Sequence, residues 1–376
     1  MLQLACRSFL FGLALLLPVG GCSARLPPPP VETAREILDR ACRYLWSRQG
    51  EDGGWHSEVH GLLRSGQALT PFVLHALLEA TPQTTDRDPA GVAHAAGFIR
   101  RSVNCDGIIG LADPDLLEYP NYSTALALRC LVATGEEKDQ ETIEKICRYL
   151  QSQQFLENRG FSLDHPVYGA WGFGGPLPLG GSPGHVDISY TRHVLEALRD
   201  SDAIGPKIAS GAQLFLERMQ REGGFYFSPV VEAANKGETR RSEEGGDDFH
   251  LPYATATSEG LLALLASGAD DDDSRVIAAR GWLAEHPGLD HPGGIPRDHP
   301  EDWGRVLFYY HLAIRGEVAG SFGSGDRIIE PLSTLLAERQ RDDGSFVNPH
   351  GTLMKEDCPI LATALAVLAL GGALSP

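Results

Sequence analysis

The sequence has little positive charge for its length. Its 376 residues carry 32 Lys and Arg against 50 Asp and Glu, a formal net charge of −18. Nucleic acids and anionic lipid surfaces are held mainly by clustered basic side chains. The composition therefore excludes nucleic acid as a partner and a basic patch as a membrane attachment. Because 42% of the residues are hydrophobic, it also excludes a disordered chain.

Cysteine is scarce and irregularly spaced. Two of the seven cysteines, Cys6 and Cys22, belong to the N-terminal segment discussed below, which leaves five. An odd number at irregular spacing is not a disulfide framework. Cys42, Cys130 and Cys147 fall within helical apolar patterns, so we expect them to be small core residues.

The N-terminal segment indicates an export signal rather than part of the fold. Its apolar run, residues 8–19, has the length of a signal-peptide core and is too short to span a bilayer. The sequence Val19-Gly20-Gly21-Cys22 then follows and resembles a bacterial lipobox. That resemblance implies cleavage before Cys22 and attachment of lipid to its sulfur.

This interpretation divides the first residues into a lipoprotein signal peptide, 1–21, and a Pro-rich spacer, 22–32, that extends from the membrane. We expect an exported, lipid-anchored bacterial protein. Ser23 supplies no acidic inner-membrane retention signal, which favours the outer membrane. The alternative is an ordinary secretory signal or an uncleaved anchor.

The rest of the chain repeats one helix-turn-helix unit six times. In the clearest copy, Gln49 ends a helix, Gly53-Gly54-Trp55 forms a turn, and Thr70 opens a second helix. A Thr followed by apolar residues four and seven positions later makes one stripe on a helix. The stripe recurs from Thr124, Thr191, Thr257 and Thr363, and the Gly turn recurs at Gly107-Ile108, Gly160-Phe161, Gly224-Phe225, Gly294-Ile295 and Gly344-Ser345-Phe346.

A single helix pair cannot bury its apolar stripe, whereas stacked pairs can. Six units predict about twelve helices in one all-α domain over residues 33–374. The longest insertions, residues 155–186 and 226–251, separate the two helices of the third and fourth units. Insertions at equivalent places fall on one face of a stack, which is often the binding face.

The repeat resembles that of the squalene-hopene cyclase and prenyltransferase β-subunit superfamily. Its best local matches are Gln49 with Gly53-Gly54-Trp55, and Thr124-Ala125-Leu126-Ala127-Leu128. The resemblance implies a closed (α/α)6 toroid of the terpenoid cyclase type, with an inner and an outer ring of helices. It also implies a central cavity lined by aromatic and apolar groups. Fold alone does not establish function.

The acid of the class II cyclases is missing. Those enzymes carry Asp-x-Asp-Asp-Thr at an inner helix start, and the middle Asp protonates an alkene. The matching segment here is Asp187-Ile188-Ser189-Tyr190-Thr191, so Ser189 replaces the donor. We therefore do not expect conventional cyclisation. Asp187 remains a helix N-cap or, alternatively, a binding or acid–base group.

Zinc chemistry of the prenyltransferase kind has weak support. The family pattern resembles Asp-x-Cys with a distant His, whereas Asp357 and Cys358 are adjacent. Asp357 is more simply a helix cap, and His311 is the only attractive third ligand. No cofactor is predicted, and zinc on these three residues remains the alternative. A thioester of the Cys-Gly-x-x-Gln type is excluded, because the chain has no Cys-Gly pair.

Several other residues are candidates for the cavity. They are aromatic, or titratable and close to predicted inner-helix starts or insertions. The full candidate set is Trp171, Asp187, Tyr190, Thr191, His193, Asp248, His250, Tyr253, Tyr309, Tyr310 and His311. A polysaccharide lyase on this toroid would need a base and cationic groups, which Tyr190, Arg192, His193, His250 and Tyr253 offer without a fixed spacing.

The sequence thus leads to two hypotheses. In the first, an exported lipid-anchored toroid without the cyclase acid binds a hydrophobic or glycan ligand, or a protein partner, at its central cavity. In the second, the toroid is an enzyme of altered chemistry, either terpenoid cyclase/mutase-like or polysaccharide lyase-like. A deep cavity with converging ionisable groups favours an enzyme, whereas a cavity filled by side chains favours a scaffold.

Overall fold

The structure, a computed structural model, describes residues 30–113, 115–175, 181–241 and 249–375. The predicted signal peptide, the lipidation site Cys22 and the cavity candidate Asp248 lie outside these ranges. No helix within the described ranges is long and apolar enough to cross a membrane.

The described part of the chain is almost entirely helical. Two short antiparallel ribbons pair β1 (Gln220–Arg221) with β2 (Gly224–Phe225), and β3 (Thr239–Arg240) with β4 (Phe249–His250). The α-helices are α1 (Pro30–Ser47), α2 (Leu69–Ala80), α3 (Pro89–Ser102), α4 (Pro120–Thr134), α5 (Gln140–Ser152), α6 (Ile188–Asp200), α7 (Pro206–Met219), α8 (Ala254–Ala266), α9 (Ser274–Glu285), α10 (Trp303–Val306), α11 (Phe308–Ser321), α12 (Ile329–Ala337) and α13 (Pro359–Ala373).

The helices form two concentric rings. The inner ring is α2, α4, α6, α8, α11 and α13, in which each helix packs on the next and α13 packs on α2. The outer ring is α1, α3, α5, α7, α9 and α12, with α1 packed on both α12 and α13. The short α10 precedes the fifth inner helix. The predicted all-α (α/α)6 toroid is therefore confirmed.

The helix sequences explain which ring each helix joins. An inner helix is covered by neighbours on several sides, so it is apolar nearly all round, as α13 is, with twelve of its fifteen residues buried. An outer helix needs only one apolar stripe, as in α5, where Ile146, Tyr149 and Leu150 are buried. The contact between α11 and α13 is especially close, because a Cβ added at Gly316 would lie 2.2 Å from the Ala369 carbonyl oxygen.

A repeated hydrogen bond ties each turn to its inner helix. The backbone N–H of an apolar residue two positions after a left-handed glycine donates to the Thr hydroxyl near the start of the inner helix. Five units share it, as Trp55 to Thr70, Ile109 to Thr124, Trp171 to Thr191, Phe225 to Thr257 and Phe346 to Thr363, over 2.9–3.2 Å.

The structure corrects two of the predicted turns. In the third unit the turn glycine is Gly169, with φ +88°, and the apolar residue is Trp171, not Gly160 and Phe161. In the second unit the bonded residue is Ile109 rather than Ile108. Gly160 also has a positive φ, but it ends a short 3-10 turn inside the insertion.

Glutamine side chains set the stacking of successive units. Each amide donates to the glycine carbonyl of its own turn and to a backbone carbonyl of the next outer helix. The pairs are Gln49 to Gly91 in α3, Gln154 to Ile208 in α7, Gln220 to Arg275 in α9 and Gln340 to Ile37 in α1. The last of these bonds joins the sixth unit to the first and closes the ring.

Candidate functional site

A cavity of about 450 Å³ lies at one end of the inner ring. Residues in or next to the first turns of all six inner helices line it, so these helices run parallel and their N-terminal ends converge on this space. Most of the lining is apolar, with aliphatic side chains and seven aromatic ones: Phe72, Tyr119, Tyr122, Tyr190, Phe227, Tyr253 and Tyr310. The volume falls within the range of small-molecule sites.

The insertion of the fourth unit covers part of the cavity and forms what we call the cavity roof, residues 227–236. Phe227, Val231, Ala234 and Lys236 from this segment face the space. The roof is held by Asn235, whose side-chain oxygen accepts the backbone N–H groups of Phe227 and Ser228 at 2.8 and 3.0 Å. The prediction that this insertion lies over the binding face agrees with its position.

Asp187 is the N-cap of α6. Its Oδ1 accepts the backbone N–H of Tyr190 at 2.9 Å, and its Oδ2 lies 2.9 Å from His185 Nε2. Asp187 and His185 also border the cavity. Both carboxylate oxygens are thus engaged in organising the start of the helix, as the N-cap interpretation predicts.

Ser189, which stands in place of an acid in the cyclase-like segment of the sequence, lies at the cavity floor. Its hydroxyl lies 3.2 Å from the Tyr310 hydroxyl; the single phenolic proton of Tyr310 is donated to Glu259, so Ser189 is the donor in its contact with Tyr310. Glu259 is fully buried, and burial raises the pKa of its carboxyl, although Arg192 partly offsets that effect.

Below the floor, charged side chains fill the inner ring. Arg192 pairs with Glu196 at 2.9 Å, with Glu259 at 3.3 Å and with Glu317. Arg129 joins the same cluster, which we call the ion network: Glu79, Arg129, Arg192, Glu196, Asp200, Glu259 and Glu317. Burial opposes ionisation of Glu196, but the two arginines outweigh it and hold the pKa of this carboxyl well below its usual range.

Lys236 is a buried cation in the cavity roof. The residue is 8% exposed, and its Nζ donates to the Ala234 carbonyl at 2.6 Å. The ammonium lies 4.7 Å from the centre of the Trp303 ring and 5.5 Å from that of Phe227. Burial lowers the pKa of Lys236 to about 8, against a smaller opposing effect of Asp187.

The structure brings four of the predicted cavity residues together and places others elsewhere. Asp187, Tyr190, Tyr253 and Tyr310 line the cavity. The candidates that do not line it are Trp171, Thr191, His193, His250, Tyr309 and His311.

The candidates outside the cavity have structural roles instead. Trp171 is fully buried between helices, where its Nε1 donates to the Leu150 carbonyl at 2.7 Å, and Thr191 belongs to the repeated turn bond. His193 packs edge-to-face against Tyr122 with centroids 4.3 Å apart, and burial and Arg192 lower the pKa of its imidazole well below the usual value.

The remaining displaced candidates lie on helix flanks or in the ribbon. Tyr309 packs on Phe346. His311 lies within hydrogen-bonding distance of the Gly288 carbonyl and the Thr255 hydroxyl, at 3.0 and 3.2 Å. His250 sits on β4 beside Thr239.

The residues proposed as zinc ligands do not form a metal site. Asp357 lies 2.6 Å from His60 Nε2, Cys358 is the buried residue preceding α13, and both ring nitrogens of His311 have other partners. Within the described ranges, no group of three His, Cys, Asp or Glu could hold a metal ion. The arrangement of these residues therefore does not support the zinc alternative.

Lys236 and Glu259 were not singled out from the sequence. Glu259 offered a signal, since it is the lone charge in the apolar segment Ala254–Ala266. Lys236 lies in a polar insertion, where a lysine is usually solvated, and nothing in its local sequence distinguishes it.

Neither a family model nor a curated protein matches the sequence. Solved structures do resemble the fold. A type II terpene cyclase, MstE from Scytonema, in a variant without ligand, has a TM-score of 0.58 at 14% identity, over 93% of this chain and 99% of that chain. A protein from Actinoplanes has a TM-score of 0.58 at 15% identity, over 90% of this chain and 99% of that chain. A glycosidase variant in complex with glucose has a TM-score of 0.52 at 13% identity, over 93% of this chain and 100% of that chain. At these identities the likeness shows the α/α toroid fold alone.

Proposed function

We propose that this protein is a binding protein for a hydrophobic small molecule, which it holds in the central cavity without cyclising it. The observation that carries the proposal is the lining itself: aromatic and aliphatic side chains from all six inner helices surround about 450 Å³ of space. Burial of apolar ligand surface against such a wall drives binding. Ser189 at the floor provides no acid for an alkene.

The resemblance to terpene cyclases does not restore cyclase chemistry. Protonation of an alkene requires an unusually strong carboxylic acid, whose conjugate base must be stabilised. Asp187 uses both oxygens at the helix start. Glu259 has a raised pKa, which makes it a weaker acid than an ordinary glutamic acid.

The resemblance to a glycosidase also lacks matching groups. Glycoside hydrolysis generally uses two carboxyl groups, about 5–9.5 Å apart, that face the substrate. Among the described residues that line the cavity, Asp187 is the only carboxylate. The lining favours a hydrophobic guest over a glycan.

Binding is tested with geranylgeraniol, an uncharged isoprenoid alcohol, followed by quenching of tryptophan fluorescence and by native mass spectrometry. The protein is the chain from residue 22 with Cys22→Ser, which lacks the proposed signal and lipid. We expect one molecule bound per chain. Leu365→Trp and Ala233→Trp, which fill the cavity from the wall and the roof, should each weaken binding at least about tenfold.

Leu163→Trp is the matched control, because Leu163 is 54% exposed and lies away from the cavity. Equal binding by the wild type and both cavity variants would show that the site is elsewhere. Any cyclised product from geranylgeraniol or squalene, lost in Asp187→Asn with the fold intact, would replace this proposal with the enzyme hypothesis.

We further propose that the protein is exported and anchored by lipid on Cys22, as the lipobox resemblance suggests. Growth with an alkyne fatty acid should label the wild type and leave Cys22→Ser unlabelled. Labelling of both proteins to the same extent would contradict the anchor.

A further inference from the structure

Lys236 is a buried ammonium in the largely apolar cavity roof, and its burial costs free energy. Removing a charge from water without a partner is strongly unfavourable, and most buried charges in proteins are paired. Lys236 is 8% exposed, yet no described carboxylate lies within ion-pair distance of its Nζ. Its single described hydrogen bond goes to the Ala234 carbonyl.

The groups around Lys236 do not neutralise it. Asp187 is the nearby acid, but its two oxygens are occupied by the Tyr190 N–H and His185. The Trp303 and Phe227 rings offer cation–π attraction, which is weaker than an ion pair. Among the described residues, the cavity roof therefore carries a positive charge in excess at this point.

A donor beside Lys236 lacks an acceptor. The indole Nε1 of Trp303, in the ring on which the ammonium packs, is buried and has no hydrogen-bond partner among the described residues. Buried donors are normally satisfied. An ammonium without an ion-pair partner beside an unsatisfied indole N–H leaves the described residues at this point short of acceptors.

The helix ends add to this preference. The N-terminal ends of the six inner helices converge on the cavity, and each such end carries a partial positive charge. This arrangement favours an anion in the space they surround.

We propose that the cavity's ligand is an amphiphile with a carboxylate head, which pairs with the ammonium of Lys236 while its apolar chain lies along the aromatic lining. The inference rests on the proposed function and specifies its ligand class. A carboxylate matches the single ammonium that Lys236 presents to the cavity. A phosphate head would call for more donors, commonly from arginine.

The test compares a fluorescent polyene acid, cis-parinaric acid, with its methyl ester, which has the same chain and no charge. At pH 7 the wild type should bind the acid at least about tenfold more tightly than the ester. Lys236→Met should bind both with the affinity that the wild type shows for the ester. Lys207→Met is the matched control, since Lys207 is exposed and pairs with Glu157 on the surface.

Raising the pH supplies an independent measurement. As Lys236 loses its proton above pH 8, the preference for the acid should fall, while ester binding stays constant. Besides Lys236, the titratable groups that line the cavity are Asp187, His185, Lys355 and the tyrosines Tyr119, Tyr122, Tyr190, Tyr253 and Tyr310. Lys355→Met should therefore be measured alongside, and it should keep the wild-type preference for the acid.

The outcomes separate this inference from the proposed function. Equal binding of acid and ester by the wild type would overturn the carboxylate assignment and leave the hydrophobic cavity intact. A preference that disappears in Lys355→Met but persists in Lys236→Met would also overturn it. Failure to bind acid, ester or geranylgeraniol would overturn the proposed function as well. Thermal unfolding of each variant verifies that the fold is retained.

Discussion

The two halves of the inner ring accommodate polar groups in opposite ways. In the N-terminal half, the first turns of the helices present aromatic and aliphatic side chains to an open cavity, with Lys236 as a cation that lacks an ion-pair partner among the described residues. One or two turns further on, the same helices contribute the ion network, in which five carboxylates surround two guanidiniums. Tyr310 touches both halves through Ser189 and Glu259.

The same six inner helices thus form both the cavity and the floor that closes it at one end. The network contributes paired charges that satisfy one another and fill the ring, so the cavity has a floor. At the other end, Lys236 would pair with the proposed ligand. The network and the proposed binding site thus lie in successive turns of the same helices, which makes their contributions to stability and to binding separable by substitution.

The largest effect should come from Arg192→Met. Arg192 is 2% exposed and contacts three carboxylates, so its loss leaves buried charges uncompensated, which typically costs ~3–5 kcal/mol. Urea unfolding measures this loss. Arg148→Met is the control, because its side chain is 65% exposed and pairs with the exposed Glu144, which lies outside the ion network. A loss below about 1 kcal/mol, the surface range, would mean that the network does not support the floor.

A pH-dependent effect should come from Glu356 at the cavity end. This buried carboxyl accepts the N–H groups of Tyr309 and Tyr310 at the start of α11, yet burial raises its pKa to about 7. The folded state therefore favours the protonated form, and its contribution to stability is lost as pH rises from about 4.5 to about 7.

Between pH 5 and pH 8, the wild type should lose roughly 2–3 kcal/mol of unfolding free energy through this group, at ~1.4 kcal/mol per pKa unit. Glu356→Gln should lack this loss. The quantity to measure is the wild-type minus variant free energy of unfolding at each pH. A constant difference across this range would show that Glu356 does not titrate there.

Tyr310→Phe tests the connection between the two halves. The change removes the hydroxyl that bonds to Ser189 and Glu259 and leaves a buried carboxyl with one donor fewer, a loss of ~1–3 kcal/mol. Ser189→Ala should cost less, because Tyr310 keeps its bond to Glu259. Equal losses of unfolding free energy from both substitutions would show that the contact between Tyr310 and Ser189, rather than that between Tyr310 and Glu259, provides the stabilisation.

The smallest effect, and one of opposite sign, should come from Lys236→Met without ligand. Replacing an unpaired buried ammonium with an apolar chain of similar length should raise the unfolding free energy by ~1 kcal/mol. The increase should shrink as pH rises from about 8 to about 10.5, because the amine is neutral in the folded protein above the first value and in the unfolded chain only above the second. A destabilised variant at pH 7 would indicate that Lys236 has a structural partner.

The sequence predicted those features that depend on neighbours in the chain. Gln49, Gly53 and Thr70 mark a helix end, a turn and a helix start at fixed spacings, and their hydrogen bonds are local. Asp187 was predicted as an N-cap on the same kind of information. The error at Gly160 arose because a glycine–aromatic pair inside an insertion has the same local form as the true turn at Gly169.

The features that could not be predicted depend on closure of the ring. Tyr310 meets Glu259 across 51 positions and Ser189 across 121, and no local pattern encodes those distances. The helix period explains a further error. Tyr310 faces the axis, so Tyr309 and His311, each about 100° away around the helix, point to the flanks rather than into the cavity.

The antiparallel pairing of outer and inner helices has a consequence for the proposed lipid anchor. The end of α1 lies beside the start of α2, joined by the turn in which Trp55 bonds to Thr70, so α1 begins on the face opposite the cavity roof. If Cys22 carries the proposed lipid, its attachment would thus join the ring on the face opposite the cavity roof.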